Sequence, residues 1–187
     1  MTTKKKSNFE FVDDEILRNN LDITFDLVIA LIPLSNSEDN THTELVKIGF
    51  KKMIIISTAS IIEALLLLLI KNKKSEQELS PRTEIFKVDK IIHMTDDKKR
   101  IVIGEMKETI EKCKYNKLNL KQIIDLCDNH NLIKDVILTE HLLKVKDLRN
   151  KQHLGTLKFV DSGYSNADLE FVFSVAKRVK ELVTEKL

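Results

Sequence analysis

The sequence predicts an all-α protein: an up-and-down helical bundle of four long helices, with a mixed short-helix or hairpin insertion at 75–120 between the second and the third. Three observations predict it. Gly and Pro number only 4 and 2 in 187 residues, too few to turn the many strands of a sandwich or barrel. Leu, Ile, Lys and Glu, which suit helices, are abundant. Apolar residues recur at three- and four-residue spacing over long stretches. With 42% of its residues hydrophobic, the chain is too apolar for disorder. It is long enough for one core, and 1–187 is read as a single domain.

The first helix is expected over 13–32. Ile16, Leu17, Leu21, Phe25, Val28, Ile29 and Ile32 repeat at helical spacing, and Pro33 is expected to stop it. A polar loop, Ser35 to Asn40, follows. Thr41 or Thr43 is placed to start the second helix, which runs to about Asn72. Over 75–105, Ser80–Pro81 marks a break. Phe86–Met94 and Arg100–Ile103 contain β-capable stretches around Asp96–Asp97, so a short hairpin and a helix with an irregular loop both fit. Residues 105–114, with Glu105, Lys107, Glu108, Glu111 and Lys112, read as an exposed helix. Lys121–Asn129 is a further short helix, broken at Asn129–Asn131. Ile133 to Leu154 form an amphipathic helix that Gly155 is placed to end in a left-handed cap. Ser165 followed by Asp168 reads as a helix start with an acidic first turn. The last helix then carries Leu169, Val172, Phe173, Ala176, Val179, Leu182 and Val183.

Lys plus Arg number 31 and Asp plus Glu 29. This balance excludes a histone-like polycation and leaves room for a local basic patch. Only 5 of the 31 are Arg, so each Arg invites a role that needs a planar, bidentate donor. Cys113 and Cys127 show neither C-x-x-C nor zinc-finger spacing and read as reduced thiols of a cytoplasmic protein. Met1 to Lys6 holds three lysines with no apolar run after it, unlike a secretory signal. The apolar run Ile54–Ile70 has Glu63 at its middle and lysines at both ends. A carboxylate at mid-bilayer is costly, so the run reads as a buried central helix and not a membrane span.

Two charged residues fall where a core is expected. On the helix ending near Gly155, Leu138, Leu142 and Val145 lie on one line, and Arg149, Gln152 and His153 continue it. The apolar stripe therefore turns polar with an Arg and a His at i and i+4. Asn150 lies to one side. On the second helix, Glu63 shares a face with Ile56, Ala59, Leu66, Leu67 and Ile70. A carboxylate there needs protonation, a nearby hydroxyl or a cation, and Arg149 is the candidate cation. His93, His130 and His141 stand alone and read as surface or loop histidines. No metal cluster, P-loop, G-x-G-x-x-G, H-E-x-x-H or G-x-S-x-G is present in the sequence.

The segment Asp147-Leu148-Arg149-Asn150-Lys151-Gln152-His153-Leu154-Gly155 resembles the R-N-x-x-x-H type motif of HEPN-superfamily domains, above all the variants that read LRDLRN before a His. The upstream A-S-I-I-E-A-L-L helix, Ala59 to Leu66, and a last helix entered through Tyr164–Asp168 fit the same pattern. The resemblance spans about 45–185 and implies a helical bundle. Many such domains are metal-independent endoribonucleases of toxin–antitoxin, CRISPR or phage-defence systems. Others have lost catalysis and bind a partner protein or nucleic acid. The resemblance implies Arg149, Asn150 and His153 as catalytic residues; Glu63, the candidate partner of Arg149, and Lys146 and Lys151 are expected to support them. The resemblance implies no cofactor and no metal. The expected partners are RNA, a second copy forming a homodimer, and an antitoxin or other protein, with no membrane and a cytoplasmic location expected. The chain departs from the active pattern in spacing: three residues separate Arg149 from His153, where four to six are usual, and Lys146 stands where an earlier Arg occurs in the LRDLRN variants.

Overall fold

The computed structural model describes residues 6–36, 43–80, 82–93, 100–110, 113–151 and 163–187. They form two compact units, Met1–Asn72 with Asn119–Leu187, and Lys73–Leu118. The first is the expected all-α bundle. Its helices are α1 (Glu15–Asn36), α2 (Glu44–Lys73), α3 (Leu120–Asn129), α4 (Val136–Asn150) and α5 (Asn166–Lys186). Four of them are long and α3 is short, with α4 packed between α3 and α5.

α1 runs through Pro33 to Asn36, so the proline does not stop it. A proline removes one N–H and crowds the carbonyl four residues back. This close to the helix end the loss is local, and the Ser35 hydroxyl donates to the Ile32 carbonyl at 2.8 Å. The buried face of α1 is Leu21, Val28, Leu31 and Ser35. Ile16 and Ile29, expected in the core, are exposed. Phe9, ahead of the helix, is buried and meets Phe25 edge-on at 6.1 Å.

α2 is the central helix. Thr43 precedes it and accepts the Val46 N–H at 3.4 Å. Ile54, Ile55, Ala59, Ile62, Leu65, Leu66, Leu69 and Ile70 are all buried at 1% exposure or less. Among the described helices it alone is long and apolar enough to cross a membrane. Its apolar face is instead largely buried inside the bundle, which is compatible with a soluble protein.

Side-chain caps fix the remaining starts. Asn119 accepts the Gln122 N–H at 3.0 Å and Gln122 accepts the Asn119 N–H at 2.9 Å, a closed capping box before α3. Asn131, with φ of +53°, turns the chain after α3 at the break expected there. Asp135 caps α4 through the Leu138 N–H at 3.1 Å, so α4 begins at Val136 and not at Ile133. Ser165 caps α5 at the expected start, and Asp168, expected as an acidic first-turn residue, closes a capping box with it. α4 is described to Asn150, with Lys151 as its cap. The expected extension to Leu154 and the Gly155 cap lie outside the described residues.

In the second unit, β1 (Arg82–His93) pairs antiparallel with β2 (Arg100–Ile110), in register from Arg82↔Ile110 to His93↔Arg100 with a bulge between Val88 and Lys90. The hairpin is the alternative realised in the insertion. It corrects the helix expected at 105–114: residues 105–110 belong to β2, and Tyr115–Lys117 form a single 3-10 turn. A short charged segment without an apolar stripe makes a poor helix, whereas pairing with 82–87 satisfies its backbone. Tyr115 ties the unit internally. Its N–H donates to Glu76 at 3.0 Å and its hydroxyl to the Lys74 carbonyl.

Candidate functional site

The stripe on α4 that begins with Leu138, Leu142 and Val145 is buried, as is Leu148. One residue later Arg149 reaches α2, and its Nη1 donates to Glu63 Oε2 at 2.6 Å. The two side chains keep 27% and 24% of their exposure. They are therefore mostly withdrawn from water while one edge of the pair stays accessible. Glu63, the carboxylate on the core face of α2, and Arg149, the one guanidinium of α4, answer each other, the cation option among those the sequence left open. One guanidinium nitrogen is engaged by Glu63; the planar fork of Arg carries five N–H donors in all.

The end of α4 is held from a second side. Tyr164, buried and just ahead of α5, donates its hydroxyl to the Leu148 carbonyl at 3.2 Å. That carbonyl is among the last four of the helix, which have no partner within it. Gly163 precedes Tyr164 with φ of +78°, and a Cβ placed there would come within 3.1 Å of the Ile48 side chain on α2. The left-handed φ calls for glycine here, and a side chain would in addition push the Ile48 side chain by a few tenths of an ångström.

Asn150 is exposed at the last position of α4, and Lys151 is exposed as its cap. The Lys151 ammonium lies 5.8 Å from the centre of the Tyr164 ring. Lys151 and Lys144 also add positive potential at Asp168. Burial pushes that carboxyl up, but hydrogen bonds from the Ser165 N–H and hydroxyl, with the two lysines, hold it below its ordinary value. Lys146 turns to Asp147 at 2.8 Å. Arg149, Asn150 and Lys151 thus share one end of the bundle with Glu63 beneath them. His153, with Gln152, lies outside the described residues.

One polar cluster was missed. His141, taken as an isolated surface or loop residue, sits half-buried on α4. Its Nδ1 meets Arg178 Nη1 of α5 at 3.2 Å, and Arg178 Nη2 also donates to Asp135. Its ring stands edge-on to Phe171 at 5.2 Å. Asp135 lies below its ordinary value, chiefly because it accepts the Leu138 N–H, with Arg178 adding to the effect against burial. The available signal was Arg178, another of the few arginines, one turn along α5 from Ser174. His93 lies in β1 and His130 caps α3. Burial pushes the Cys127 thiol up to about 12.

A cavity of about 330 Å³ lies among α1, α2 and α5, walled by Phe25, Val28, Ile61, Leu65 and Phe173. Its Thr58 hydroxyl is spent on the Ile54 carbonyl at 2.8 Å, and Lys177 and Lys180 are the charged residues of its lining. Among the described residues no group of His, Cys, Asp and Glu is arranged to hold a metal ion. The chain matches no family model, no curated protein and no solved structure.

Proposed function

We propose that this chain is a metal-independent endoribonuclease of HEPN type, of the kind found in toxin or phage-defence systems, acting on RNA in the cytoplasm through Arg149, Asn150 and His153. The observation that carries the reading is the anchoring of Arg149 by Glu63 at 2.6 Å, at the end of α4 where the motif begins. A buried-side carboxylate fixes the guanidinium without consuming its donor fork, which suits it to hold phosphate oxygens.

The chemistry follows from the residue types. The ribose 2′-hydroxyl attacks its own 3′-phosphate, its proton goes to a base, and the 5′-oxygen leaves with a proton from an acid. The products are a 2′,3′-cyclic phosphate and a 5′-hydroxyl. Histidine is the motif's residue type whose ordinary charge change falls near neutrality, so His153 takes the base or acid role. His153 of a second copy takes the other. Arg149 stabilises the charge that develops on the phosphorane oxygens. Asn150 orients, and Lys151 adds positive potential.

A second reading, a catalytically inactive module of the same type that binds a partner protein or nucleic acid, is favoured by two observations. Arg149 already has an anionic partner, and Lys146 is turned to Asp147. The deciding experiment is cleavage of varied RNAs by the purified protein in EDTA, with analysis of the new ends, beside His153→Ala and Arg149→Ala. The nuclease reading expects cyclic-phosphate ends that both substitutions abolish. No cleavage by a folded wild type overturns it in favour of the binding module.

A further inference from the structure

α1 carries more apolar residues than its core face uses. Beside the buried set, it exposes Ile29 on one flank and, on the opposite side, Ile16 at 75%, Ile23 at 68%, Leu27 at 41% and Leu34 at 39%. The flank residue aside, at 100° per residue these four lie within about 40° of one line. Asn20 and Ala30, also exposed, complete the row. The six positions 16, 20, 23, 27, 30 and 34 follow each other at intervals of four and three residues. That is the a/d repeat of a coiled-coil seam over nearly three heptads, with Asn20, Leu27 and Leu34 at a, and Ile16, Ile23 and Ala30 at d.

We propose that this outer seam of α1 is a self-association surface, on which α1 of a second copy packs in parallel about a two-fold axis running along the helices. The nuclease reading also calls for a second copy; this surface is argued from α1 alone and uses none of Glu63, Arg149, Asn150 or His153, so the oligomeric state tests it separately from cleavage. Three features on α1 select this occupant. The seam is free of charge at all six positions, so like residues face like residues without repulsion. Its one polar member, Asn20, is at an a position. In a parallel pair it meets itself, and an amide both donates and accepts, so each satisfies the other. An antiparallel pair in the same register would set Asn20 against Ala30 and leave the amide buried without a partner. The exposed area is the third. The four aliphatic residues with Asn20 and Ala30 offer roughly 500 Å² per copy, or roughly 1,000 Å² in total, the lower limit of a specific interface. The dimer is accordingly at the weak end of specific association.

Sedimentation equilibrium over a wide concentration range tests this. The wild type is expected to pass from monomer to dimer. Ile23→Glu with Leu27→Glu changes only exposed positions, so helicity by circular dichroism is retained. The dissociation constant rises by roughly 100-fold or more, because four carboxylates then face each other. In a Cys113→Ser background, Asn20→Cys is expected to oxidise to a disulfide-linked dimer. A wild type that stays monomeric overturns the proposal and leaves the seam to a different protein. So does a dimer that survives both glutamates, which would place the interface elsewhere. Cross-linking between Ile23→Cys and Leu27→Cys chains, with none at Asn20→Cys, overturns the parallel arrangement.

Discussion

The ion pair between Glu63 and Arg149 sets a measurable coupling between α2 and α4. Two unit charges about 4 Å apart attract by about 4 kcal/mol at an effective dielectric of about 20. Both side chains are about three-quarters withdrawn from water, so desolvation offsets a large part of that attraction. A remainder of about 2 kcal/mol lies above the ~0.2–1 kcal/mol of an exposed pair and below the ~3–5 kcal/mol seen when a fully buried pair is broken. A double-mutant cycle isolates it. Glu63→Gln keeps the shape and an acceptor, and is expected to cost about 1.5 kcal/mol. Arg149→Met keeps length and packing but leaves the Glu63 carboxylate without its cation, at about 2.5 kcal/mol. The double substitution removes both charges and is expected to cost about 2 kcal/mol, well below the sum of the two singles. Urea denaturation at pH 7 supplies the three differences, taken from the midpoints at a common slope. A coupling under about 0.5 kcal/mol refutes the reasoning: the pair would then behave as a surface contact, and Glu63 would not hold Arg149 in place.

Two further predictions concern the ends of helices. Asp135 and Asp168 lie below their ordinary values, Asp135 chiefly through the Leu138 N–H and Asp168 through Ser165 against an opposing burial. A carboxyl whose folded pKa is depressed contributes in full above the unfolded value of about 4 and is lost as pH falls through the lower folded value. Thermal melts are therefore expected to be flat from about pH 7 to 5 and to drop below about pH 4. Asp135→Asn keeps a cap that does not titrate and makes the acid drop shallower; an unchanged drop would exclude Asp135 as a contributor. Gly163→Ala forces a Cβ into a left-handed position within 3.1 Å of Ile48. It is expected to cost about 1–2 kcal/mol from the backbone alone and to lower Tm by roughly 3–8 °C. An unchanged Tm would show that the loop relaxes to another conformation.

Much of the bundle was legible because its signals are local and redundant. The start of α5 is written in Ser165 and Asp168, three residues apart, and the structure uses both in one capping box. The insertion was legible only as an alternative. Hairpin pairing joins residues as distant as Arg82 and Ile110, and nothing within 105–110 alone records that a partner strand is available. Pro33 misled for a related reason. Its effect depends on how much helix remains after it, and only three more residues follow, to Asn36.

The site shows the same contrast. Glu63 and Arg149 could be paired from sequence because each sits on a stripe that must face the core, where a charge has few options. His141 and Arg178 flank their stripes, where solvent is always an alternative partner, so no argument from necessity connected them. α1 is the harder case. Its helical period was plain, yet an apolar residue on a helix states only that it prefers burial, not which body buries it. Leu21 and Ile16 lie about 140° apart on the helix, and one bundle cannot cover both. The fold takes the Leu21, Val28 and Leu31 side and leaves the Ile16, Ile23, Leu27 and Leu34 side in water, with Ile29 exposed singly elsewhere. Had the outer row been scattered, it would be ordinary surface. Its strict four-and-three spacing, with a single amide at an a position, is what a second helix would require of it.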